Sequence, residues 1–208
     1  MTMTTTATAT ATAHAHAVFV DRFQPAAQRS RLAMQAVLVL AGSLLIAASA
    51  QVALPLFFSP VPITGQTFAV LLIGALFGPR LGMATVVAYL LEGAAGLPVF
   101  AGGGLGAPHL VGPTAGYLFG FIPAVALVGW MAARGWDRTV FKTVVAMALA
   151  TAIIFASGLA WLKLLVGAEN ALALGLYPFV PGAIIKIALA AIALPGAWKA
   201  VEWFERSR

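Results

Sequence analysis

Long apolar stretches alternate along most of the chain with short segments that are rich in proline, glycine or polar residues. Crossing about 30 Å of hydrocarbon takes roughly 20 helical residues at 1.5 Å per residue, and fewer where a neighbouring segment re-enters the membrane. The pattern therefore predicts an all-α integral membrane protein, a bundle of six transmembrane helices. The predicted spans are 31–54, 64–78, 80–95, 113–134, 139–167 and 179–203.

The second and third of these spans are short and are joined by the tripeptide Gly78-Pro79-Arg80. Proline is tolerated at the start of a helix, because the N–H group that it lacks has no helical partner there. We expect a tight turn between two helices at this point. The linkers that remain between the spans are 55–63, 96–112 and 168–178.

The N-terminal segment differs from the rest of the chain. Residues 1–17 form a threonine and alanine repeat without apolar periodicity, and they lack the charged start and apolar core of a signal peptide. We predict a disordered cytoplasmic tail over 1–30 and a six-helix membrane domain over 31–208. His14 and His16 alternate within this tail and are weak candidates for a metal site.

Composition narrows the class of protein. Of the 208 residues, 62% are hydrophobic and 9% are charged, and the mean hydropathy is +0.98, whereas soluble domains carry about 25% charged residues. The absence of cysteine excludes disulfides and thiolate metal sites or nucleophiles. The sequence contains no G-x-x-x-x-G-K-[ST] motif, so this chain is not expected to bind ATP phosphates itself.

Basic residues predict the orientation in the membrane. Ten Lys and Arg residues fall on one side of the six-span arrangement, whereas the three linkers on the other side contain none. Because basic residues near span ends are retained in the cytoplasm, both termini of this multi-pass protein are expected there. The net charge of +6 is then a topology signal, and no nucleic-acid partner is predicted.

The linker 96–112, between the third and fourth helices, is expected on the outer face. Irregular backbone at membrane depth is tolerated where protein or a water-filled cavity satisfies its polar groups, and glycine allows close backbone approach. Gly102 and Gly103 are candidates for such an approach, with Phe100 and His109 in the flanking apolar segments that anchor the loop. Two alternatives follow: a lid or cradle over a small molecule, or a tight connector without a ligand.

Three ionisable residues lie in or near the outer halves of the spans, where a charge is costly and usually functional. Lys186 is flanked by isoleucines, and its ammonium group could receive a ligand carboxylate or extend to the outer interface. Lys163 lies beside Trp161, which favours the interfacial position. Glu92 precedes the glycine loop and could bond loop amides or a polar ligand.

Neutral polar and aromatic residues complete the candidate site. Gln66 and Thr67 open the second span, and Tyr89 and Tyr117 lie near the two ends of the glycine linker. Such groups suit a small molecule that is partly apolar and partly polar. Thr64 is instead expected to cap the helix that follows it.

Two other classes of protein remain alternatives. A membrane enzyme or protease could pair Ser157 with Lys186 as base, although the sequence offers no convincing nucleophile. No zinc-protease motif is present, and His109 is the one histidine of the membrane region. A structural or assembly subunit would need the glycine loop only for packing.

Four segments in order resemble the BioY family of bacterial biotin transport proteins: "PVPITGQT" (60–67), "YLLEGAAGLPVFAGGG" (89–104), "LVGPTAGYLFGF" (110–121) and "YPFVPGAIIK" (177–186). The resemblance covers about residues 31–204. It implies a substrate-binding (S) component of an energy-coupling-factor transporter in the bacterial cytoplasmic (inner) membrane, with biotin held near the outer face under extracellular loops. Lys186 matches the family lysine that contacts the biotin valerate.

The resemblance has two departures. An aspartate three positions before the lysine and an arginine in the glycine loop are frequent in the family, but Ala183 and Gly104 stand at about these places. The expected substrate-binding residues are Lys186, Gln66, Thr67, Tyr89, Glu92, Phe100, Gly102, Gly103, His109 and Tyr117. Biotin is expected as transported ligand, with no cofactor and no metal.

The resemblance also implies partners. An S component docks on a membrane T component that works with ATPase subunits, although some family members resemble stand-alone transporters. Small residues near the inner end of the first span, including Ala33 and Ala36, would allow close helix approach. An S component for another vitamin is the remaining alternative within this class.

Overall fold

A computed structural model describes residues 18–207, and the fold consists of helices that flank one small β-hairpin. Strands β1 and β2 pair antiparallel in the hairpin. The helical membrane fold predicted from the sequence is confirmed. The elements are α1 Gln28–Gln51, β1 Ala53–Leu56, β2 Ser59–Thr64, α2 Gln66–Ala94, α3 Gly106–Val111, α4 Ala115–Ala132, α5 Val140–Val166, α6 Ala168–Gly175 and α7 Val180–Arg206.

Helix α2 is folded back on itself. Gly78 has φ 78° and ψ 178°, a non-helical conformation open to glycine, and Pro79 follows it. The two arms run antiparallel, because Gln66 at one end bonds Tyr89 near the other. A Cβ atom on Gly82 would lie 3.3 Å from the Cα of Gly74. The prediction of two short helices joined at Gly78-Pro79-Arg80 is therefore confirmed.

The arms of α2 have unequal lengths, and the difference shapes the site. At 1.5 Å per residue, the first arm (66–77) is about 18 Å long and the second (79–94) about 24 Å. Both start from the same turn, so the N-terminal end of the first arm stops below the end of the second. Tyr89 bonds both Gln66, at the start of the first arm, and the carbonyl oxygen of Val99, so the segment after α2 folds back over the shorter arm.

Helix α4 is the centre of the bundle and packs between α2 and α5. Its window of 18 residues is 67% buried, the largest share among the candidate spans of the described chain. Gly74 of α2 faces Val125 and Val128 of α4, where a Cβ atom would collide with both side chains. On the other side of α4, Gly120 approaches Ser157 of α5. Small residues thus bring the helices into close contact.

Residues 18–30 correct the predicted tail. The segment Phe19–Phe23 is a 3-10 helix, and Val18 and Val20 are buried. Val18 packs on Gly78, and Phe19 meets the ring of Trp198 edge-on at 5.6 Å. The prediction of disorder is therefore wrong for residues 18–30, while residues 1–17, with His14 and His16, lie outside the described part. The segment was missed because five residues are too few for apolar periodicity.

One end of the bundle gathers the basic flanks and is called the basic end. Arg22 is 2.7 Å from Glu205 in α7. The guanidinium groups of Arg22 and Arg138 lie 5.7 Å and 4.5 Å from the centre of the Trp198 ring. The N-terminal segment, the α4–α5 connection and the C-terminal part of α7 therefore meet there. This agrees with the prediction that the basic residues lie on one side of the bundle.

The opposite end, called the cavity end, holds the three predicted linkers, which are more regular than expected. Residues 55–63 belong mostly to the β-hairpin, residues 96–112 contain α3, and residues 168–178 contain α6. Pairing and short helices satisfy backbone N–H and C=O groups that would otherwise be unpartnered near the hydrocarbon. The hairpin adds a strand pair to a chain predicted as all-α, because its apolar residues do not alternate as a half-buried strand would.

Candidate functional site

A cavity at the cavity end is enclosed by β2, the first arm of α2, the glycine loop, α4, α5 and α7. Its empty space, counted with its open mouth, is about 900 Å³. The wall is mainly apolar and aromatic, with a few polar groups, as in sites for small organic molecules. Its polar and charged members are Thr64, Gln66, Thr67, His109, Thr114, Tyr117, Thr151 and Lys186.

Lys186 supplies the positive charge in this wall. Its Nζ donates to the carbonyl oxygen of Thr64 at 2.6 Å and to Oγ1 of Thr67 at 2.8 Å. Ile184 and Ile185 beside it are exposed on the outer surface of α7. The ammonium group is therefore directed into the bundle and not toward the surrounding lipid. Two of its three N–H donors are used, which leaves one for an incoming acceptor.

Gln66 is positioned by bonds on both sides of its amide. Thr64 donates its hydroxyl to Oε1 of Gln66 at 3.0 Å, and Nε2 of Gln66 donates to the Tyr89 hydroxyl at 2.5 Å. Tyr89 in turn donates to the carbonyl oxygen of Val99 at 3.2 Å. Tyr89 is fully buried and is not part of the cavity wall, so it orients Gln66 and the start of the loop from behind.

The glycine loop, residues 96–112, supplies Phe100, Ala101 and His109 to the cavity wall, and we call it the lid. Phe100 is fully buried, with its ring packed on Gly93 and edge-on to Tyr89 at 5.5 Å. The His109 ring stacks on Phe100 with 5.0 Å between centroids and 9° between planes. Burial lowers the pKa of His109 below its ordinary value, so the stacked ring is the neutral form. Phe100 and His109 both belong to the cavity wall.

Gly102 and Gly103 lie outside the cavity wall, unlike the prediction that they approach the ligand. Both have positive φ, 66° and 74°, which makes the turn of the lid. The Gly103 N–H donates to Oε1 of Gln51 at 3.1 Å, and Nε2 of Gln51 donates to the carbonyl oxygen of Phe100 at 3.2 Å. These glycines thus attach the lid to the end of α1.

Gly104 and Ala183 mark the two departures from the family pattern. A Cβ atom on Gly104 would collide with the His109 ring, so a larger side chain there requires His109 to move. Ala183 lines the cavity one helical turn before Lys186, on the same face of α7. In this chain the imidazole of His109 occupies space beside the position at which an arginine was expected.

Glu92 lies away from the cavity. Its Oε1 accepts a hydrogen bond from Oγ of Ser43 at 2.7 Å, which joins the second arm of α2 to α1. Neither residue belongs to the cavity wall. The structure therefore places Glu92 at a helix interface and not with the predicted substrate-binding residues.

Tyr117 lies in the wall, and its hydroxyl donates to the carbonyl oxygen of Gly175 in α6 at 2.8 Å. Helix α5 adds Thr151, a buried polar side chain that the sequence analysis did not select. A threonine within a long apolar span was the available signal. Ser157 packs against Gly120 and does not line the cavity, so it is not placed beside Lys186. Lys163 is exposed near the end of α5, as expected for an interfacial lysine.

Comparison with known proteins identifies the family. The BioY family model matches residues 14–203. The chain belongs to the BioY family. A probable biotin transporter BioY of Pyrococcus horikoshii is 38% identical over 133 residues, which are 64% of this chain and 78% of that protein. The biotin transporter BioY of Thermotoga maritima is 40% identical over 150 residues, 71% of this chain and 86% of that protein.

A solved structure supports the fold of this BioY family member. The crystal structure of the S-component for biotin from an ECF-type ABC transporter aligns with a TM-score of 0.72 at 24% identity. The alignment covers 84% of this chain and 95% of that one. A multi-pass helical membrane protein is thus supported both by this likeness and by five helical segments that are long and apolar enough to span a membrane among the described residues.

Proposed function

We propose that this BioY family chain captures biotin from outside the cell and takes part in its uptake. The single observation that carries the proposal is a cation, Lys186, in the wall of a mainly apolar cavity. Biotin combines an apolar valerate chain, a terminal carboxylate and a polar ureido ring, and the cavity offers a matching set of groups. The BioY relatives named as biotin transporters favour this ligand over other vitamins.

In this proposal the biotin carboxylate accepts a hydrogen bond from Lys186. The ammonium group has neutral partners, Thr64 and Thr67, so an anionic acceptor would add a charge-assisted bond. Such a bond contributes about 1.5–3 kcal/mol, or roughly 10- to 150-fold in affinity. The apolar chain would then lie along the aromatic and aliphatic wall.

The polar ring of biotin would face the other hydrogen-bonding groups of the wall. Gln66 keeps one amide N–H after its bond to Tyr89, and Thr151 offers a hydroxyl from the part of the wall that α5 forms. The stacked rings of Phe100 and His109 would cover the ligand as part of the lid. Tyr89, Gly102, Gly103 and Glu92 would act through the positions of these groups and not by contact.

The orientation and partners belong to the same proposal. With the basic end in the cytoplasm, both termini lie inside and the cavity faces outward, in the cytoplasmic membrane. This sequence has no phosphate-binding loop, so energy from ATP would come from a membrane T component with ATPase subunits.

An enzyme is disfavoured because Ser157 is not placed beside Lys186. No cofactor is needed for binding and transport.

Binding of radiolabelled biotin to the purified full chain in detergent tests the proposal. Wild type should bind biotin saturably, and Lys186→Ala should weaken binding by roughly 10- to 150-fold. Lys163→Ala removes an exposed lysine and should bind as wild type does. Equal affinity of a folded Lys186→Ala variant would overturn the role of Lys186. Saturable binding of riboflavin or thiamine in place of biotin would overturn the assignment of biotin as the ligand.

A further inference from the structure

The turn of the β-hairpin exposes two aromatic rings that the site does not use. Phe57 is fully exposed and Phe58 is 46% exposed, and their rings meet edge-on at 4.9 Å. They connect β1 and β2 as a two-residue turn, since Leu56 pairs with Ser59. We call this pair the aromatic tip.

The local backbone does not require aromatic residues at this turn. Two-residue hairpin turns favour glycine, asparagine and aspartate, because these residues adopt the necessary conformations or bond the turn. Two adjacent phenylalanine rings exposed to water would be unfavourable because of the hydrophobic effect, and they do not stabilise the turn. The aromatic tip therefore needs an apolar environment from outside the chain.

The position of the hairpin identifies that environment. Strand β1 begins two residues after α1 ends, so the hairpin continues from the cavity end of a membrane-spanning helix. Exposed apolar side chains recur along this path on either side of Gln51, whose exposed side chain is polar but uncharged. They are Leu40, Leu44 and Leu45 on α1 and then Val52, Leu54 and Phe57.

Charge does not interrupt this surface either. The sequence contains no Lys, Arg, Asp or Glu between Arg31 and Arg80. The surface of α1 that faces lipid thus continues to the aromatic tip. It lacks the charged residues that would be expected if the chain entered water along this path. Phenylalanine, like leucine and tryptophan, is buried at the boundary between headgroups and acyl chains by segments that lie in the membrane interface.

We infer that the aromatic tip is inserted in the bilayer interface at the cavity end of the bundle, in the same membrane that α1 spans. The tip holds one end of the hairpin at the lipid surface. Beside the tip, Oγ of Ser59 donates to the carbonyl oxygen of Leu174 at 2.7 Å, and farther along β2 Val61 and Thr64 belong to the cavity wall. The hairpin therefore connects the lipid surface to the wall of the site.

Spin labelling tests this inference without a ligand. The natural chain has no cysteine, so Phe57→Cys, Leu44→Cys and Glu169→Cys each give one labelled position. Each labelled full chain is placed in phosphatidylcholine nanodiscs, and collisions with oxygen, which concentrates in lipid, are compared with collisions with a water-soluble nickel chelate. Leu44 on α1 calibrates lipid exposure, and Glu169, an exposed acid of α6, calibrates water exposure.

The Phe57 label should give an oxygen-to-nickel ratio several-fold above that of the Glu169 label. A ratio equal to that of Glu169 would place the tip in water and overturn the inference. Low collision with both reagents would place it against another protein or a second copy of this chain, which also overturns it. Biotin is absent from these measurements, so their outcome is separate from that of the proposed function.

A second comparison tests the two rings themselves, with the protein that keeps Phe57 and Phe58 as the reference. A label at Leu54→Cys is measured in the otherwise natural chain and in a chain that also carries Phe57→Ser and Phe58→Ser. Loss of the rings should lower the oxygen-to-nickel ratio at Leu54, while a Leu44 label in the same background stays unchanged and reports an intact bundle. An unchanged ratio at Leu54 would contradict anchoring by the aromatic tip.

Discussion

At the basic end, Trp198 of α7 is held among charged groups, whereas at the cavity end Gln51 of α1 holds the lid with neutral hydrogen bonds. The Trp198 indole donates to Oδ2 of Asp137 at 2.5 Å, and both residues are buried. Gln51 instead bonds backbone groups of Phe100 and Gly103. The first arrangement is buried in the bundle, and the second lies beside a cavity.

Because of this difference, we expect the contacts at the basic end to matter for stability and those at the cavity end to matter for binding. A buried indole and carboxylate are costly to disturb, because loss of one partner leaves the other unpaired. Burial raises the pKa of the Asp137 carboxyl, while its bond to Trp198 opposes that rise. Neutral bonds to a glycine turn are individually weak and can be broken and remade when a ligand enters. Variants at the two ends should therefore have different consequences.

Trp198→Ala should have the largest effect, on stability. It removes a buried aromatic side chain and the donor to Asp137, and losses of this kind cost about 3–5 kcal/mol. Thermal unfolding in detergent should show a large fall in midpoint, whereas the matched variant Trp203→Ala, at an exposed position of α7, should change it little. Equal midpoints for the two variants would contradict the view that Trp198 secures the basic end.

Gln51→Ala should have the next largest effect, on binding. It removes both side-chain bonds between α1 and the lid, and two neutral hydrogen bonds at about 1 kcal/mol each are worth roughly 30-fold in affinity. Biotin dissociation from the purified chain should accelerate with little change in the thermal midpoint. Ser49→Ala, which removes a bond within α1, is the control. A slow, wild-type dissociation rate would show that Gln51 does not hold the lid.

Acid should weaken biotin binding by a few-fold through His109. Burial lowers the pKa of His109, so the closed lid favours neutral imidazole, and this stabilisation is lost as pH falls from about 6.5, the ordinary histidine value, through the lowered pKa. Dissociation constants measured between pH 7.5 and about 5, above the range in which carboxylates titrate, should rise toward acid. The profile of His109→Phe should be flatter. Identical profiles would exclude His109 as the titrating group.

Glu92→Gln should have the smallest effect on binding. Its side chain joins α2 to α1 outside the cavity, and the amide oxygen can still accept from Ser43. Biotin affinity should remain within about twofold of wild type, since a neutral hydrogen bond is retained. Equilibrium binding measures this directly. A loss of affinity as large as that of Lys186→Ala would show that Glu92 contributes to the binding site.

The helical fold could be predicted because its signals are local. Gly78 and Pro79 mark a turn whatever surrounds them, and long apolar spans have few alternatives to membrane helices. For Lys186 the cost of a charge in lipid left two positions open, one inward and one at the outer interface, and its bonds to Thr64 and Thr67 show the inward one. Residues 18–30 and the β-hairpin were missed because their form depends on contacts with distant residues such as Trp198 and Leu174.

The candidate site was predicted less completely than the fold. Gln66, Thr67, Phe100, His109, Tyr117 and Lys186 line one cavity, although their sequence positions are far apart. Tyr89 and Glu92 are polar residues of the same arm, yet one lies behind the wall and the other faces α1. Sequence spacing assigns residues to a helix, but the rotation of that helix against its neighbours decides which side chains reach the cavity.

The central claim is that Lys186 binds the carboxylate of biotin, and a thermodynamic cycle tests it most directly. Calorimetric affinities of biotin and of its uncharged primary amide are measured for wild type and for Lys186→Ala. Wild type should prefer biotin over the amide by about 1.5–3 kcal/mol, the contribution of a charge-assisted hydrogen bond, and the variant should lose this preference. An equal preference in wild type and in folded Lys186→Ala would contradict the claim.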